Sequence, residues 1–147
     1  MAIRVLFLCT GNSARSVIAE ALLREMGRSD FEVYSAGVAP KGINPYTRRV
    51  LAAEGIDTSW AESKHMSQFE DQRFDYVITV CDDAAEQCPV FPGDPQRIHW
   101  SFKDPAAAEG TDIEKLAAFQ TTAREMRTRL SLFIPAALNA AKAAHAP

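Results

Sequence analysis

Apolar residues form a nearly unbroken run over residues 3–8, the pattern of a strand covered on both faces of a parallel sheet. Over residues 16–26 the period changes. Val17, Ala19, Ala21, Leu22, Leu23 and Met26 recur at helical spacing, and Gly27 supplies a stop. Residues 31–36 read as a second strand, closed by Gly37. INPYTRRVLAAEGI reads as a helix with Asn44 as cap, Pro45 in its first turn and Gly55 at its end. A loop containing residues 63–69 leads to FDYVITVC, a third strand ending at Cys81. DDAAEQC fits a short helix capped by Asp82, after which Pro89, Pro92 and Pro95 keep the chain loop-like. RIHWSF is a fourth strand. Residues 111–142 form a long helical stretch that Pro135 should kink or break.

Strand and helix alternate, so the fold class is α/β: a four-stranded parallel sheet with helices on both faces. Right-handed crossovers leave few topologies, of which the strand order 2-1-3-4 is expected. With no repeat or linker, the 147 residues read as a single domain, 1–147. A net charge of −3 and a pI near 5.6 argue against a dense basic face and hence against nucleic-acid binding. No apolar run approaches the ~20 residues of a membrane span. The first run is too short for a signal peptide, which points to the cytoplasm. Three cysteines do not make a secreted disulfide framework. In a reducing cytosol they are core thiols, metal ligands or catalysts.

The junction of the first strand and helix, VLFLCTGNSARS, concentrates the chemistry. Free N–H groups at a helix start, with the positive end of its dipole, bind anions. Gly11 and Asn12 tolerate left-handed backbone. Thr10, Gly11, Asn12, Ser13, Ala14, Arg15 and Ser16 can therefore surround a tetrahedral oxyanion, with Arg15 as a bidentate clamp. Cys9 lies at the floor, where positive charge favours a nucleophilic thiolate, and Ser16 can donate to it. The same pattern also fits a plain strand-turn-helix with a buried cysteine. Cys81 ends a strand expected beside the first. Adjacent strands lie ~4.8 Å apart and a disulfide needs Cα atoms ~4.4–6.8 Å apart, so Cys9 and Cys81 can meet. A small core residue is the ordinary fate of such a cysteine, although Cys88 seven residues on weakens that reading. No cysteine spacing resembles a zinc site. Asp104-Pro105 fits a turn, or a carboxyl able to protonate a leaving oxygen. His65, His99 and His145 read as surface or core filler. Arg124, Arg127 and Arg129 read as a solvated helix face.

VLFLCTGNSARS, together with YSAG, NP, FDYVITVCDDAAEQCP and HWSFKDPA, resembles the low-molecular-weight tyrosine phosphatase-like family, specifically the thioredoxin-coupled arsenate reductases built on that fold. The resemblance spans nearly the whole chain. It implies arsenate reduction: Cys9 attacks arsenate, Asp104 acts as general acid, Cys81 attacks Cys9, and Cys88 attacks Cys81. An 81–88 disulfide is left for thioredoxin. Arsenate is the implied substrate, with phosphate or sulfate as competing anions and no cofactor. The expected state is a monomer without nucleic-acid or membrane partners. The alternative is a phosphatase acting on monoesters. Against it, Cys81 and Cys88 would be idle, and Ala106 stands where tyrosine phosphatases of this fold carry an aromatic residue. A non-catalytic oxyanion or redox sensor ranks last, since no output domain is evident. Some related reductases bind potassium through side chains matching Asn12, Glu20 and Ser35 plus an acidic residue. Here Lys64 takes the acidic position, where its ammonium could pair with Glu20 in the cation's place. No metal site is therefore expected.

Overall fold

The run Ile3–Cys9 forms β1, and it is central because both of its faces are covered. The computed structural model describes residues 2–144. Strands β2 (Phe31–Gly37), β3 (Tyr76–Thr79) and β4 (Gln96–His99) join β1 in one parallel sheet of order β2-β1-β3-β4. Helices α1 (Arg15–Gly27), α2 (Pro45–Ala53), α3 (Asp82–Gln87) and α4 (Asp112–Ala144) occupy the connections and the C-terminal stretch. This is a single α/β domain with the expected strand order.

Val5, Leu6, Phe7 and Leu8 are fully buried. Phe7 packs against Trp100, and Trp100 against Phe133 of α4. On the opposite face Leu6 is in register with Tyr34, whose ring meets Phe69 and Phe74. Phe69 belongs to a short 3-10 helix, Met66–Phe69. Burying these rings contributes ~1.5–3 kcal/mol each.

Pro135 does not break the last helix. α4 is continuous through it. Pro135 lies on the solvent face, while Phe133 and Ala137 on either side are buried. The lost N–H therefore leaves a carbonyl that water can reach. Phe133 is anchored among Phe31, Tyr76 and Trp100, which opposes the cost of ~3 kcal/mol or more. The fourth strand is shorter than RIHWSF. It ends at His99, because Trp100 and Phe102 turn into the core. The arginines of α4 are not merely solvated: Arg127 pairs with Glu54, and Arg129 lies over the Trp100 ring at 5.6 Å. His145 lies outside the described residues. No helix among the described residues is long and apolar enough to cross a membrane.

Candidate active site

β1 ends at Cys9 and α1 starts at Arg15, which leaves residues 10–14 as the turn between them. Cys9 is buried, with its Sγ 2.8 Å from Ser16 Oγ. The Asn12 backbone N–H donates to the same sulfur at 3.3 Å. Asn12 has φ of 46°, the left-handed region asparagine tolerates better than most residues. Its fully buried side chain ties three segments together. Nδ2 donates to Ser16 Oγ and Ser35 Oγ, each at 2.9 Å, and Oδ1 accepts from the Lys64 backbone N–H at 2.8 Å. Ser63 Oγ donates to the Asn12 carbonyl at 2.5 Å. Of the two residues expected to tolerate left-handed backbone, Asn12 takes the positive φ of this turn. Lys41 crosses Gly11, where a Cβ would lie 2.6 Å from Lys41 Cε, a contact the flexible lysine chain could relieve by shifting. At Gly37 a Cβ would lie 2.6 Å from the Thr10 carbonyl oxygen, so β2 passes the turn only as glycine.

The turn opens into a cavity of about 240 Å³ lined by Cys9, Thr10, Gly11, Ser13, Ala14, Arg15, Lys41, Asp104 and Ala106. Ala14 caps α1 without a side-chain hydrogen bond, and the first turn holds no acidic residue. The positive end of the helix is therefore not offset by its own first turn. Arg15 Nη1 donates to the Phe102 carbonyl at 3.1 Å, and Nη2 lies 3.8 Å from Asp104 Oδ2. Asp104 does two things at once. Its Oδ1 accepts from the Ala106 N–H at 3.0 Å, capping the 3-10 turn Pro105–Ala107, and its side chain remains 41% exposed at the cavity. Lys41, outside the Cys9–Ser16 motif, adds a second cation to the rim. Two cations and one carboxylate suit a multiply charged anion.

Cys81 lies beyond β3 rather than in it. The Val80 N–H donates to the Leu8 carbonyl at 2.9 Å. The β1–β3 ladder thus reaches the residue before each cysteine. Cys81 is buried, and its Sγ lies 3.2 Å from Thr10 Oγ1, so a hydroxyl of the cup touches the second thiol. Cys81, not Asp82, is the N-cap of α3, with no side-chain cap bond. Asp82 instead pairs with His99 Nε2 at 3.0 Å, while His99 Nδ1 lies 2.7 Å from Thr79 Oγ1. His99, expected to be filler, bridges the β3 end to α3. Cys88 is the C-cap of α3, and all three cysteines are free thiols.

Behind the cup, Glu20 is buried and accepts from Ser35 Oγ at 2.5 Å and Arg24 Nη2 at 2.8 Å. The expected Lys64 pairing is corrected. Lys64 Nζ donates to the Glu62 carbonyl at 3.0 Å, and Arg24, one helical turn along, takes the carboxylate. Among the described residues no group of three or more His, Cys, Asp or Glu is placed to hold a metal. Burial pushes the Glu20 carboxyl above its usual range, against the opposing pull of the Ser35 hydrogen bond and the Arg24 and Lys64 charges. A carboxyl raised in the folded chain contributes stability fully below the unfolded value of ~4.3. That contribution is lost as pH rises through the higher folded value. Glu20→Gln removes the titration. Its melting temperature relative to the unmodified protein is thus expected to increase between about pH 4 and pH 7. A difference that is flat or falls with pH contradicts this reading.

The chain belongs to the low molecular weight phosphotyrosine protein phosphatase family, whose profile matches residues 4–143. Within that family, an arsenate reductase of Halalkalibacterium halodurans is 42% identical over 129 residues, covering 88% of this chain and 93% of that protein. Solved structures of arsenate reductases are similar as well. An arsenate reductase in a phosphate-binding state has a TM-score of 0.72 at 26% identity, over 90% of this chain and 97% of that one. A thioredoxin-dependent arsenate reductase from Corynebacterium glutamicum has a TM-score of 0.65 at 31% identity, over 89% of this chain and 63% of that one.

Proposed function

We propose that the protein is an arsenate reductase that converts arsenate to arsenite with electrons from its own thiols and is recycled by thioredoxin. The observation that carries this reading is the placement of the cysteines: Cys9 at the floor of the cup, Cys81 against Thr10 of that cup, and Cys88 at the far end of the short helix Cys81 begins. The relatives named arsenate reductase support the substrate, and the thioredoxin-dependent one supports the reductant. Residues 10–16 hold the oxyanion, with Arg15 clamping two of its oxygens. Cys9 attacks arsenic while Asp104 protonates the departing oxygen, which leaves as water. Cys81 then attacks Cys9 Sγ. The Cys9–Cys81 bond forms, the arsenic–sulfur pair returns to arsenic, and arsenite departs. Cys88 attacks Cys81, Cys9 leaves as thiolate, and the 81–88 disulfide awaits thioredoxin. One dithiol supplies the two electrons, so no cofactor enters. Action as a monomer is part of the proposal, and free thiols suit a cytoplasmic setting.

Hydrolysis of phosphate monoesters is the second reading, favoured by the family to which the chain belongs. Against it, the methyl of Ala106 lines the cup mouth and offers no aromatic face to a substrate ring. One assay separates the two: arsenate-dependent NADPH oxidation coupled through thioredoxin and thioredoxin reductase, run beside hydrolysis of an aryl phosphate. Arsenate-dependent oxidation far exceeding hydrolysis is expected, and hydrolysis alone overturns the proposal.

The relay also requires motion. Six residues of helix separate Cys81 from Cys88, and a seven-residue step at 1.5 Å per residue spans ~10 Å. A disulfide tolerates Cα separations up to only ~7 Å. α3 must therefore unwind, which is inexpensive for a helix this short. On oxidation, amides of residues 82–92 are expected to lose hydrogen-exchange protection while the core strands keep theirs. Equal protection in both redox states excludes this movement.

A further inference from the structure

Cys88 is half-buried, and burial pushes its thiol up, away from the thiolate that disulfide exchange requires. One side chain opposes this. Arg97, in the edge strand β4, donates from Nη1 to Cys88 Sγ at 3.3 Å and from Nη2 to the Pro89 carbonyl at 2.8 Å. Both arms of the guanidinium thus grip consecutive residues, the sulfur and the carbonyl that follows it. Among the described residues Arg97 is the charged group acting on this sulfur, and the Pro89 carbonyl is the other polar partner. An exposed arginine on an edge strand needs no such contact to be soluble, and a solitary surface charge contributes little to stability. Its backbone is fixed to the sheet, with Arg97 in register with Val77. The guanidinium is therefore anchored to the part of the molecule that does not unwind.

Resting on the relay proposed above, we infer that Arg97 is the residue that readies Cys88: it holds the resting thiol in place and favours its deprotonation before the final exchange. The step is balanced within the protein. Cys88 gives its proton to solvent, and its thiolate attacks Cys81 Sγ. The Cys81–Cys88 bond forms, the Cys9–Cys81 bond breaks, and Cys9 departs as thiolate. A charge-assisted N–H···S contact from a planar fork stabilises the anion over the neutral thiol. Because the arginine stays with β4 while α3 unwinds, the thiolate leaves its partner as it moves, and the released sulfur is free to attack.

The test uses the full chain carrying Cys9→Ser and Cys81→Ser, so that Cys88 is the one thiol left, and follows alkylation by iodoacetamide against pH. It needs no arsenate, so it reads on Arg97 even if arsenate reduction fails. Adding Arg97→Gln is expected to move the alkylation midpoint to higher pH and slow the reaction near pH 7 by about three- to tenfold. Arg97→Lys, which keeps the charge, is expected to restore most of the midpoint. Faster alkylation at every pH in Arg97→Gln, with an unmoved midpoint, means the arginine only holds the loop closed and overturns the inference. So does an Arg97→Lys profile that coincides with that of Arg97→Gln. In the chain with all three cysteines, Arg97→Gln is expected to slow formation of the 81–88 disulfide after one arsenate addition while phosphate affinity of the cup is unchanged. An unslowed disulfide contradicts the inference as well.

Discussion

Replacing Cys9 with serine is expected to lower arsenate turnover by at least about 10⁴-fold, to background, because a hydroxyl at neutral pH is a far weaker nucleophile than a thiolate. The sulfur sits at the floor of the cup with Ser16 Oγ at 2.8 Å and the Asn12 N–H at 3.3 Å, so its position is held from two sides. Serine is shorter but close in shape, and the Asn12 network that shapes the turn uses Ser16, Ser35 and Lys64, not the sulfur alone. The variant should therefore still fold and bind phosphate, which isothermal titration can verify. Arg15→Lys tests the other half of the cup. An ammonium cannot reproduce the fork proposed to meet two oxyanion oxygens, nor hold the Phe102 carbonyl in the same geometry. A loss of about 10²- to 10³-fold in kcat/KM is expected. Turnover retained in Cys9→Ser would remove Cys9 as the nucleophile.

The second large effect separates reduction from hydrolysis. Cys81→Ser and Cys88→Ser are each expected to stop multiple-turnover arsenate reduction, since in the proposed relay each thiol carries the electron pair towards thioredoxin. Slow aryl-phosphate hydrolysis should survive in both, because it needs only Cys9, Arg15 and Asp104. The two variants should also differ from one another. Cys88→Ser still permits one arsenite per chain, ending at a Cys9–Cys81 disulfide, whereas Cys81→Ser stops earlier, with arsenic on Cys9. Rapid-quench arsenite counting reads this difference. Multiple turnover surviving in either variant rules out the relay as drawn.

Much of this architecture is legible in the sequence. Alternating apolar periods specified the parallel sheet, and a cysteine, small residues and an arginine between a buried run and a helix form a local pattern that periodicity locates. At Pro135 packing overrides a local rule: the buried Phe133 and Ala137 hold the helix together on the side the proline does not face. The shortened β4 has a similar origin, with Trp100 leaving the ladder for Phe7 and Phe133. What no periodicity could reveal were contacts between distant segments. Lys41 over Gly11, Thr10 against Cys81 and Arg97 against Cys88 each depend on which loops the sheet order brings together. Arg24 was different. It lies four residues from Glu20 on one helix, a spacing that marks ion pairs, whereas Lys64 reaches the Glu62 carbonyl instead.

In the proposed reaction two thiols of this chain reduce one arsenate. The direct measurement mixes fully reduced protein with excess arsenate, without thioredoxin or other reductant, and counts arsenite and free thiols after the reaction stops. Mass spectrometry then locates the disulfide. The expected result is one arsenite per chain, a fall from three free thiols to one, and a bond between Cys81 and Cys88. No arsenite, or arsenite released with all three thiols still free, would contradict it.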